Sequence, residues 1–365
     1  MDTLDFLTIF YNREKVANTD PQETKTFVAR CHCKNVCFTV TLPTASLPLN
    51  AYICSCTLCR YTHGTLGSFH TSLPQGVAPE WTNSNVNLSV YKTPGSGRGG
   101  HGQRWFCPTC GAHNGHYEAW AMQWIVDISL FDEVFWNITG FAFPKSPGDG
   151  GLLSWLGTRE LIPISMDRDF PPEYHLEIGM DGEERLRAEC LCGGVSFTIP
   201  RPSDAVVRDE HFSQHAALGN SRKWKAFLDF DRETRLLTSA HFMPWVRIPR
   251  AVFEPKVPPD LNIGTMKAYH ASDKTTKGFC GRCGATIFLK QKGRRDSACS
   301  ENEVLDIALG ILRAPEGAKA ENWVDWGAAE KTQAKSLTMY DAEFTGAVLE
   351  GHRKWVLEKG GELLG

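Results

Sequence analysis

The stretch CHCKNVCFTV at residues 31–40 returns as CLCGGVSFTI at 190–199. Each begins with two cysteines one residue apart and runs on in alternation. Val36, Phe38 and Val40 alternate with Asn35, Cys37 and Thr39, and Val195, Phe197 and Ile199 repeat the pattern. A period of two belongs to a strand with one buried face. Two more landmarks recur in the same order, FCPTCGA (106–112) with FCGRCGA (279–285) and IVDISL (125–130) with VLDIAL (304–309). Shared landmarks in a fixed order predict two copies of one mainly β unit. The expected division is a first unit over 20–145, a linker over 146–185, a second unit over 186–345 and a C-terminal helix over 346–365. PKSPGDGG and FPPEY supply the Pro and Gly expected of a linker, and the best helical periodicity runs from about Tyr340 to Lys359.

The chain has 365 residues, 42% of them apolar, which is long for a single domain. Its net charge of −3, without any run of Lys or Arg, argues against a nucleic-acid partner. No uncharged apolar stretch reaches membrane-spanning length, and MDTLDFLTIFYNREK does not read as a signal peptide. Thirteen cysteines in such a chain point to thiolate–metal binding in a reducing, cytoplasmic setting rather than to disulfides.

Cys31 and Cys33 with Cys107 and Cys110 form two pairs whose spacing suits a closed four-thiolate zinc site. Cys190, Cys192, Cys280 and Cys283 offer the same set, ordinary buried cysteines or disulfides being the alternative. Cys54, Cys56 and Cys59, in CSCTLC, are then left over. Three protein ligands with a free fourth position distinguish catalytic from structural zinc, and a substrate thiol suits that position. An ungapped register that aligns Gly219 with Gly64 puts Asp209, His211 and Gln214 opposite these cysteines, so the second copy is expected to lack the open site. Cys37, opposite Ser196, and the unpaired Cys299 are not expected to be ligands.

The order CHC (31–33), CSCTLC (54–59), FCPTCG (106–111) resembles the glutathione-dependent formaldehyde-activating enzyme / centromere protein V family. The resemblance implies two tandem β-tent domains of stacked antiparallel sheets, the second one degenerate, as in fungal members. It implies two structural zinc ions and one labile catalytic zinc on Cys54, Cys56 and Cys59. The implied activity is that of a carbon–sulfur lyase, with glutathione as co-substrate and formaldehyde as the carbonyl. Two other functions are weighed, a lyase step on a larger aromatic secondary metabolite and a non-catalytic zinc module that binds a protein.

Glutathione's carboxylates call for cations. Arg60 and His63 follow the cluster directly, while Arg98, His101 and Arg104 lie in GSGRGGHGQRWFC, and a polar solvated loop is the plainer account of Arg98 and His101. His63 has the chemistry of a proton shuttle. His113 and His116 are expected beside the closed site as hydrogen-bond partners. Trp105, Trp120, Trp124 and Trp136 would either pack in the core or widen the pocket for a bulky substrate. A homo-oligomer is compatible with all of this.

Overall fold

A computed structural model describes residues 23–82, 88–93, 103–119, 121–157, 161–164, 173–209, 212–217, 222–291, 303–327 and 340–359. Arg98, His101, Trp120, His211, Cys299 and the first 22 residues lie outside the described residues.

The alternation after each opening cysteine pair becomes a hairpin. Thr24–Arg30 pairs with Cys37–Pro43, and Glu184–Glu189 pairs with Ser196–Pro200. Phe38, Val40, Phe197 and Ile199 are fully buried, as a period of two demands. Each hairpin belongs to a three-stranded sheet that accompanies a larger one. In the earlier half of the chain six strands lie side by side in the order Leu49–Cys54, Ser68–Ser72, Gln123–Asp127, His113–Glu118, Gln103–Phe106 and Ser89–Lys92. In the later half Trp224–Asp229, Met243–Pro249, Val304–Ala308, Thr286–Gln291, Thr275–Cys280 and Met266–His270 follow the same order. These neighbours pair antiparallel, as expected. The exception is at one edge, where Trp136–Ala142 and Ile162–Ile164 join the earlier sheet in parallel and Val324–Asp325 joins the later one in parallel.

Four α-helices are described: α1 (Thr57–His63), α2 (Asp204–Arg208), α3 (Arg232–Thr238) and α4 (Ala342–Glu358). Helices α1 and α3 occupy equivalent places between the first two strands of their sheets, and each ends on a left-handed residue, Gly64 (φ 76°) or Ser239 (φ 57°). This equivalence corrects the sequence alignment. The residues that answer to Cys54, Cys56 and Cys59 are Asp229, Asp231 and Thr234, not Asp209, His211 and Gln214. The extra residues of the later half precede α3, and an ungapped register cannot see them. The later half still has no thiol at these positions.

The halves meet through close backbone approaches. The Gly310 N–H donates to the Gly64 carbonyl at 3.0 Å, and a Cβ on Gly310 would lie 2.3 Å from the Thr65 carbonyl oxygen. Gly111 of the first CxxCG turn rests on the Phe279 ring, and Gly284 of the second rests on Phe106. The segment expected as a linker is partly built into the core. Leu152 and Trp155 are fully buried, and Trp155 packs on Trp326, His352 and Trp355. Helix α4 turns Phe344, Val348, His352 and Val356 inward at i, i+4 spacing, and among the described residues none forms a helix long and apolar enough to cross a membrane.

Candidate metal centres

The hairpin brings Cys31 and Cys33 to one point, and the CPTCG turn, released by the left-handed Gly111 (φ 73°), brings Cys107 and Cys110 to the same point. Sulfur–sulfur distances there are 3.4 Å (Cys31–Cys33) and 3.5 Å (Cys33–Cys107). The later quartet gives 3.7 Å (Cys190–Cys192) and 3.5 Å (Cys192–Cys280). A disulfide needs about 2.05 Å. A tetrahedron with metal–sulfur bonds of about 2.3 Å has edges of about 3.8 Å, close to what is seen. All twelve described cysteines are free, and both quartets could hold a metal ion.

Cys54, Cys56 and Cys59 form the third group, with sulfurs within 4.8 Å of one another. Cys54 ends a strand, Cys56 is the N-cap of α1, its sulfur accepting from the Cys59 N–H at 3.3 Å, and Cys59 lies in the first helical turn. Hydrogen bonds from Cys54 and Cys56, and then the Arg104 guanidinium, hold the Cys59 thiol well below its ordinary range, while Cys54 is pushed well up by its thiol neighbours and by burial. Negative charge therefore gathers on Cys59. Arg104, itself 3% exposed, donates to it from Nη2 at 3.3 Å.

Around these sulfurs lies a buried polar network. His70 Nε2 is 4.0 Å from the Cys59 sulfur and 2.6 Å from Ser68 Oγ, while its Nδ1 lies 2.8 Å from Asp127 Oδ1 at an oblique angle. Burial opposes a charge on His70, but the Asp127 carboxylate and the Cys59 thiolate outweigh it and raise it to about 9. His63 contacts the Cys59 carbonyl through Nδ1 at 3.1 Å and turns Nε2 to Asp127 at 3.5 Å. It meets the network and not the sulfurs. Burial pushes Glu118 up to about 7 against the pull of Arg104.

The other expected residues fall elsewhere. Arg60 is buried and donates to backbone carbonyls, of Ser55 at 3.0 Å and Ser146 at 3.4 Å. His113 and His116, expected beside the closed site, join the network. His113 lies tilted 4.7 Å from His63, and His116 stands 6.0 Å from His70, each held well below the imidazole range chiefly by burial. Trp105 follows Arg104 on a strand, so it points to the opposite face, where it meets Trp124 at 4.6 Å. Trp136 is buried and donates to Asp341 at 3.2 Å.

Sequence reasoning missed His70, Ser68 and Asp127. A signal existed, because Asp127 sits inside the apolar landmark IVDISL, where a carboxylate needs partners. Its counterpart Asp306 is also paired, with Arg247 at 2.7 and 3.2 Å.

Two filled-out quartets and a partnered triad of cysteines on mainly β sheets define a thiolate protein able to bind metal ions. Residues 26–138, which contain the first quartet and the triad, match the model of the glutathione-dependent formaldehyde-activating enzyme family. The matched stretch is under a third of the chain. No curated protein and no solved structure matches it.

Proposed function

We propose that the chain is a zinc-dependent carbon–sulfur lyase-type enzyme that joins a glutathione-like thiol to a carbonyl such as formaldehyde at Cys54, Cys56 and Cys59. The observation that carries the reading is the convergence of three buried free thiols with Arg104 and His70 on the same sulfur. Bound zinc would supply a substrate thiolate at neutral pH, with protein sulfurs on three sides. Arg104 steadies the negative charge on Cys59 and keeps that ligand in place. His70, held charged by Asp127 and Cys59, donates its proton to the alkoxide oxygen once sulfur has bonded to the carbonyl carbon, and the proton shed by the incoming S–H restores it, so no proton is gained or lost. Asp127 fixes the charge and orientation of His70, and His63 steadies Asp127.

The two halves are read as copies of one domain, supported by six strands in one order and two equivalent quartets. The later copy would hold zinc for structure only, because Asp229, Asp231 and Thr234 replace the triad. Free cysteines throughout the described residues suit a cytoplasmic setting. The aromatic-metabolite alternative loses support because Trp105 and Trp124 face away from the triad.

Metal analysis of the purified chain tests the reading. About three zinc ions are expected, with the triad's ion released first to a chelator, and Cys56→Ser should hold about two. Glutathione should add a sulfur to the coordination shell of the wild type alone. Two ions in both proteins, with no response to glutathione, would leave only the non-catalytic zinc module.

A further inference from the structure

Behind the triad, where the halves meet, lies a cavity of about 330 Å³. Arg60 and Tyr61 of α1 line one side, Leu312, Ala314 and Pro315 of the later half line another, and Glu173, Tyr174 and His175 of the connecting segment close over it. The Tyr61 and Tyr174 hydroxyls hydrogen-bond to each other across it. Its electrostatics are unbalanced. The Arg60 guanidinium lies 5.2 Å from the Tyr61 ring centre, and that of Arg313 lies 3.2 Å from it. Both arginines are buried, 3% and 6% exposed, and among the described residues neither forms an ion pair, Glu189 acting on Arg313 only at longer range. Their described partners are backbone carbonyls, Ser55 and Ser146 for Arg60, Glu189 and Cys190 for Arg313, and Arg313 Nη1 has no partner. Glu173, the one carboxylate among the described lining residues, is exposed and pairs with neither.

Two buried guanidiniums on one phenol ring with no directly paired carboxylate among the described residues are costly, and an anion in the adjoining cavity offsets that cost. The walls select further. Two tyrosine hydroxyls favour an oxygen acid, and Leu312, Ala314 and Pro315 favour an apolar body beside it.

We propose that this cavity binds a small organic carboxylate with a flat apolar body, its carboxylate on Arg60 and the Tyr61–Tyr174 hydroxyls. The site needs both halves, and it stands whether or not the triad holds zinc. Because Arg60 also holds the carbonyl of Ser55, between Cys54 and Cys56, the occupant abuts the support of the thiol loop.

Calorimetric titration of the full chain with benzoate and with its uncharged analogue benzamide tests this. Benzoate should bind about 10- to 100-fold more tightly than benzamide, the difference a charge-assisted contact makes. Arg60→Gln should remove most of that preference. Since Arg60 also supports two carbonyls, Ala314→Phe serves as the second variant, filling the cavity without touching a charge, and it should abolish binding of both probes. Displacement of benzoate by glutathione would identify the occupant as the thiol substrate's own carboxylate, and indifference to glutathione would identify a separate organic acid. Equal affinities for benzoate and benzamide, or undiminished benzoate binding by Ala314→Phe, would overturn the proposal.

Discussion

Helix α4 is fastened by a histidine that must stay neutral. His352 is 3% exposed, its ring centre 4.8 Å from that of Trp155 and 5.8 Å from that of Trp326, and its Nε2 has no partner. Burial lowers its pKa from 6.5 to about 4. A proton therefore binds the unfolded chain more readily than the folded one. The stability this group protects is complete above pH 6.5 and is lost as pH falls toward 4. A shift of about 2.5 units at about 1.4 kcal/mol each is about 3 kcal/mol, a large share of a domain's stability. The perturbation is acidification of wild type beside His352→Phe, which keeps an aromatic ring between the indoles and cannot charge. Denaturant unfolding at steps from pH 7.5 to 4, followed by tryptophan fluorescence, reads the difference. The variant should match or exceed wild type at neutral pH and gain on it by about 3 kcal/mol by pH 4. Curves that fall in parallel would refute the assignment, since other titrating groups are common to both proteins.

Three further outcomes are expected. Asp127→Asn removes the carboxylate that orients His70, and should lower the proposed thiol addition by about 10- to 100-fold while leaving metal content unchanged, in a rate assay paired with metal analysis. Cys110→Ser should prevent folding, because a metal held by the quartet would contribute about 10–16 kcal/mol and Cys110 lies in the main core, whereas Cys56 belongs to a separate small cluster; circular dichroism of Cys110→Ser beside Cys56→Ser checks it. Gly351→Ala would place a Cβ 1.5 Å from the Trp155 carbonyl oxygen and should cost about 1–3 kcal/mol or more in a thermal melt.

What the sequence disclosed depended on how local each signal was. Strand alternation after Cys33 and Cys192, the two quartets and the period of α4 are short-range patterns, and each is present in the structure. The triad was equally legible as a set of neighbours. Its surroundings were not. His70 and Asp127 meet only because the strand Ser68–Ser72 pairs with Gln123–Asp127, and neither residue lies near a cysteine in sequence. Arg60 and His63 do, but a helix sends consecutive side chains in different directions, His63 to Asp127 and Arg60 to backbone carbonyls. Arg60 thus leaves toward Ser146 and the cavity. The match between α1 and α3 was hidden by an insertion that only shared strand order reveals.

The reciprocal seating of Gly111 on Phe279 and Gly284 on Phe106 carries a consequence for construction and design. Each cysteine knuckle is finished by a ring borrowed across the junction, so neither portion possesses a complete exterior when cut free. A fragment ending near residue 145 would expose Phe106, the face of Gly111 and the α1 surface on which Gly310 rests, and would associate or collapse even with its own metal in place. The chain thus keeps its later half for the same reason that an arch keeps both piers.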